Sequence, residues 1–105
     1  MIARTWHGRV PADKADAYYE YLQGTGLADY QNTLGNRGLL VMRRTEGTVT
    51  HYVLTTFWDS FEAIRRFAGD DYEQARYYPA DDHFLLEREP FVTHHEILEV
   101  AVVAP

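Results

Sequence analysis

The sequence predicts an α+β fold with its elements in the order strand–helix–strand–strand–helix–strand. Three observations predict it. Val49 to Trp58 is dense in β-branched and aromatic residues, which suit a strand. Ala15, Tyr18 and Leu22 recur at helical spacing. Asp59 and Glu62 precede a second apolar stripe of Phe61, Ile64 and Phe67 or Ala68, as at a helix start.

The remaining elements follow in order. Residues 2–9 form a first strand, and Pro11 suits the first turn of a helix over 12–23, with Asp13 and Asp16 near its positive end. Gly24 stops that helix, and a short turn runs through Leu27–Tyr30. Gly35-Asn36-Arg37-Gly38 is turn chemistry leading into a strand over 39–44. Thr45-Glu46-Gly47-Thr48 makes a hairpin turn into the third strand. After Gly69, Asp70 with Glu73 repeats the capping pattern for a short helix that Pro79 stops. A last strand spans 91–103.

A chain of 105 residues is one domain, here 1–105. With 46% hydrophobic and 25% charged residues it is globular rather than disordered. A net charge of −6 and no Lys/Arg-rich run speak against nucleic acid. No run approaches the roughly 18 apolar residues of a membrane span, and no signal-peptide core is visible, so a cytoplasmic protein is expected. The absence of Cys removes thiolate nucleophiles and zinc–thiolate sites. Leu39–Met42, Tyr52–Leu54 and Val100–Val103 are apolar on both sides of the pleat. A sheet facing water alternates instead, so a second copy of the chain is the expected cover.

Trp58-Asp59-Ser60-Phe61-Glu62-Ala63-Ile64 entering the second helix resembles the antibiotic biosynthesis monooxygenase family. Gly35–Gly38, Ala75-Arg76-Tyr77-Tyr78-Pro79 and Phe91–Glu96 support the resemblance, which covers nearly the whole chain. It implies a ferredoxin-like βαββαβ fold with an antiparallel sheet, assembled as a dimeric α/β barrel, with a pocket between sheet and helices. It further implies a monooxygenase or oxidase of a small phenolic or quinol-like aromatic, with no metal and no cofactor. The alternative is a small-molecule-binding or isomerase-type protein of the same fold. Haem degradation is not expected, because His7, Phe67 and Tyr77 stand where that branch carries Asn, Trp and His.

Under that fold the first strand is central, and His7 is the expected catalytic base if it faces the helices, since imidazole titrates near neutrality. Trp6, Tyr52, Phe67 and Tyr77 are the expected substrate-binding walls. His94 and His95 point to opposite faces, and the one sharing the face of His7 joins the site; His95 is the expected substrate-binding member. His51 is expected in solvent. Asp81-Asp82-His83 reads as a solvated loop, Gly24-Thr25-Gly26 as a helix stop, and no Ser/His/Asp triad or nucleophile elbow is visible.

Overall fold

Strand β1 (Ile2–Pro11) occupies an inner position of an antiparallel sheet ordered β2-β3-β1-β4, the ferredoxin-like arrangement, in a computed structural model that describes residues 1–104. It pairs along its whole length with β3 (Val49–Trp58), but with β4 (Thr93–Glu96) only over Ile2–Thr5. Strand β2 (Asn36–Glu46) forms the far edge. Helices α1 (Ala15–Gly24), α2 (Gly26–Asn32) and α3 (Phe61–Ala68) complete the regular structure, with 3-10 turns at Ala12–Lys14 and Pro79–His83.

Alternation along the strands fixes which side of the sheet holds the core. In β1 the even residues Arg4, Trp6, Gly8 and Val10 are buried while their odd neighbours are half-buried. In β3 Thr50, Tyr52, Leu54, Thr56 and Trp58 are buried. Against this side lie Ala15, Tyr18 and Leu22 of α1, Leu27 and Tyr30 of α2, and Ala63, Ile64 and Phe67 of α3. Burying each large apolar side chain contributes about 1.5–3 kcal/mol, so this layer carries most of the fold.

Several boundaries depart from the sequence-based expectations. Pro11 ends β1 instead of opening a helix, and α1 begins after a 3-10 turn. The turn expected at Leu27–Tyr30 is a complete helix, α2. Strand β2 begins in the expected turn, where positive φ at Gly35 and Gly38 lets the chain bend into the sheet. Helix α3 is capped by Ser60, whose Oγ accepts from the Ala63 amide at 3.2 Å; Asp59 instead pairs with Arg37 at 2.7 Å. Phe61, expected in the buried stripe, is exposed, and Ala63 takes its place.

The helix expected between Asp70 and Pro79 does not form. Residues 69–78 are irregular, and Pro79 instead opens the following 3-10 turn, where its missing N–H costs nothing. Asp81, expected in a solvated loop, is buried and accepts from the Tyr78 amide at 2.6 Å. The last strand is four residues long rather than thirteen-residue 91–103, and Leu98, Val100, Val102 and Val103 beyond it are exposed. No helix is long and apolar enough to cross a membrane.

Candidate functional site

The residues singled out in the sequence divide between the two faces of the sheet. Trp6, Tyr52 and Phe67 lie on the helix side and are 5%, 0% and 6% exposed, so they fill this layer, and only Tyr52 borders a small surface cleft of about 200 Å3 with Tyr19 and Arg43. Tyr52 is committed structurally: its hydroxyl donates to the Ala15 carbonyl at 2.6 Å and accepts from Arg43 at 3.2 Å. Trp6 lies along its own strand over Gly8, where a Cβ would stand 2.3 Å from the indole. Tyr77 meets Trp6 edge-on at 6.3 Å between ring centres, and its hydroxyl donates to the Glu89 carbonyl at 2.5 Å. Burial holds the Tyr77 phenol above its ordinary pKa, so near neutrality it is a donor rather than a base.

His7 does not face the helices. The parity that buries Trp6 turns His7 to the opposite, helix-free face. There Nδ1 meets the Glu89 carboxylate at 2.5 Å and Nε2 meets Nδ1 of His51 at 3.0 Å, with the two rings stacked. His51 is therefore half-buried and bonded, not free in solvent. His95 shares the face of His7 through its register with Ala3. His7 does not reach the space between sheet and helices.

His94 does. It is the cross-strand partner of Arg4 and shares its helix-side face. Its Nε2 is buried with no hydrogen-bond partner among the described residues. Phe61 and Tyr72 frame the ring at 5.6 and 5.3 Å between centres. Burial, and then the Arg4 charge, hold its pKa below the ordinary histidine value, so the imidazole is neutral at pH 7. Two clefts meet at His94, and His95, from the opposite face of the same edge strand, lines both of them. One, about 360 Å3, is bounded by Ile2, Asp59 and Phe61; the other, about 430 Å3, by Glu73, Phe91 and Val92. A larger cleft of about 520 Å3 at the β2–β3 hairpin end offers only Asp13 as a titratable group.

Sequence reasoning gave no place to Arg4 and left His94 out of the site. The signal was present: Ile2, Trp6 and Val10 share one parity of β1 and mark its buried face, which assigns Arg4 inward and His7 outward.

This strand order and three-helix cover match solved structures over nearly the full chain. A structure of the haem degrader MhuD from Mycobacterium tuberculosis with two haems bound superposes with a TM-score of 0.65 at 18% identity, over 97% of this chain and 100% of that one. The chain has the antibiotic biosynthesis monooxygenase fold. A Bacillus cereus protein assigned to those monooxygenases gives 0.62 at 17% identity, over 95% and 97% of the two chains. A NIPSNAP domain protein from Burkholderia xenovorans gives 0.60 at 22%, over 100% and 99%. No family model matches the sequence. No curated protein matches it.

Proposed function

We propose that the protein is a cofactor-independent oxygenase of a small phenolic or quinol-like aromatic, with His94 as its base. The observation that carries this reading is the unpartnered Nε2 of a neutral imidazole set between Phe61 and Tyr72 where two clefts meet. A neutral, partly desolvated imidazole is a competent proton acceptor, and aromatic side chains around it suit a flat ring. His7 is withdrawn from the role because it lies on the other face.

In this reading the acidic C–H of the substrate gives its proton to Nε2. The resulting carbanion passes one electron to dioxygen, and the radical and superoxide combine at carbon. The protonated imidazole returns its proton to the peroxide, and loss of water leaves a carbonyl. The sum is one CH2 group and one O2 giving one C=O and one water. The protein contributes the base, the orientation of the ring and the exclusion of bulk water.

The working form in this reading is a homodimer joined through the helix-free face. Leu40 and Met42 stand 48% and 43% exposed on that face, and the period-two run Leu98, Val100, Val102 is uncovered beside it in sequence. A second reading, a small-molecule-binding protein without catalysis, is favoured by how completely Trp6, Tyr52 and Phe67 fill the helix side.

The test is oxygen uptake with a panel of anthrones and naphthols, which present the required CH2 group in their keto forms. Uptake matched by quinone formation is expected, with His94→Ala slowing it roughly 10²–10⁴-fold and His7→Ala leaving it near wild type. Saturable binding of the panel without oxygen uptake would establish the second reading instead.

A further inference from the structure

Arg4 carries a charge that no carboxylate among the described residues pairs with. It is 1% exposed on an inner strand of the sheet. Its Nη2 donates to the Gln74 carbonyl at 3.1 Å, the Tyr30 hydroxyl lies beside the guanidinium, and Nε is buried with no acceptor among the described residues. The Phe67 ring lies 5.4 Å from the guanidinium carbon, and a second guanidinium, Arg76, lies 4.9 Å from that same ring. Arg76 has its own partner in Asp29 at 3.3 Å. Arg4 does not.

A buried, unpaired cation is among the costliest groups a core can hold, and a second cation nearby raises the cost. A guanidinium is also a flat fork of donors that fits an oxyanion with two parallel hydrogen bonds. The second unpartnered atom, Nε2 of His94, belongs to its cross-strand neighbour. Both lie under the stretch around Gln74, which has no regular structure. Main-chain bonds from Gln74 to Asp71, Ala75 to Pro90 and Val92 to Glu73 hold it in place. The cleft of about 430 Å3 lined by Glu73, Val92, His94 and His95 runs beside that stretch, with Arg4 buried behind its wall rather than lining it.

We infer that Arg4 is an anion-binding residue and that the ligand of this site carries a carboxylate beside its aromatic ring. The carboxylate takes the Nε and Nη donors of Arg4, replacing the Gln74 carbonyl, and the ring lies toward His94 and Phe61. This rests on the reading of the His94 clefts as a ligand site, but not on the chemistry done there.

Benzoate and salicylate are the probes, with benzamide as the neutral control, read by thermal shift and by the Arg Nε–Hε NMR signal. Benzoate should raise the melting temperature and displace the Arg4 signal, with benzamide weaker by roughly 10- to 100-fold, the worth of a charge-assisted hydrogen bond. Arg4→Met should fold at least as stably as wild type, since an unpaired buried charge is gone, and should lose the benzoate response. Arg4→Lys should bind more weakly, because it keeps the charge without the fork. An Arg4→Met protein that responds as wild type overturns the inference. Should that variant fail to fold, an Arg4 Nε–Hε signal unmoved by saturating benzoate in the wild type overturns it equally. Benzoate binding by the wild-type protein with no oxygen uptake from any aromatic of the panel would uphold the subsite and remove the oxygenase reading. Oxygen uptake on neutral phenols with no benzoate binding would do the reverse.

Discussion

Replacing Gly8 with Ala tests whether Trp6 holds the position described. The φ of Gly8 is not positive, so space rather than backbone torsion requires the glycine. A Cβ there would lie 2.3 Å from Cη2 and 2.9 Å from Cζ2 of Trp6, and 3.0 Å from Cδ2 of Leu85. Carbon atoms rest at about 3.5–4.0 Å, so the indole must move by more than ~1 Å inside a filled layer. Overpacking of this kind costs about 1–3 kcal/mol, against which the stiffer alanine returns about 0.5–1. The expected net loss is on the order of 1–2 kcal/mol, a fall in Tm of roughly 4–8 °C per kcal/mol at this chain length. The assay is a double-mutant cycle by urea denaturation, followed by the fluorescence of Trp58. In a Trp6→Phe background the two closest atoms are gone and only the flexible end of Leu85 remains. Gly8→Ala should then be neutral or stabilising, giving a coupling of about 1–2 kcal/mol. Equal losses in both backgrounds would refute the argument, because the cost would then belong to the strand and not to the indole.

Three further outcomes are expected. At micromolar concentration the chain should run as a dimer, and Met42→Asp on the helix-free face should shift it toward 12.2 kDa; a clean wild-type monomer would remove the assembly reading. Haem with a reductant should yield no open tetrapyrrole, because His7 lies on the wrong face and His94 on another strand; sustained conversion would contradict this. The depressed pKa of His94 means the unfolded chain binds the extra proton more readily than the native one. Stability from this group is therefore present above the ordinary histidine value of about 6.5 and declines as pH falls through the lowered native pKa. His94→Gln should flatten that acid limb in denaturant titrations at successive pH values, and an unchanged limb would assign it elsewhere.

What the sequence made legible tracks where local and tertiary signals agree. Strand β3 has the bounds the sequence predicts because its β-branched run and the Gly47 turn before it coincide. Residues 70–78 carried a capping pattern, Asp70 with Glu73, without an apolar stripe to bury, and a cap alone nucleates nothing. The face of His7 is set differently: imidazole chemistry suits either face, whereas the parity of Ile2, Trp6 and Val10 assigns it, and a one-residue shift inverts that assignment completely. Arg4 escaped notice for the related reason that a charged residue at a buried parity looks like an interruption of the pattern. Its burial depends on the irregular stretch around Gln74, which no periodicity announces.

The shortness of β4 leaves Trp6–Pro11 without a strand beyond them, an open flank in the middle of the molecule. The chain seals it with its own coil. The Leu86 amide donates to the Arg9 carbonyl at 2.9 Å, Glu87 clasps Arg9 at 2.6 Å, and Glu89 clasps His7. A bare ladder of that length invites stray chains to add themselves to it, and fibres begin in that way. Residues 86–89 thus work as a sacrificial selvage: too irregular and too acidic to be extended by a stranger, they finish the weave at the place where it would otherwise fray.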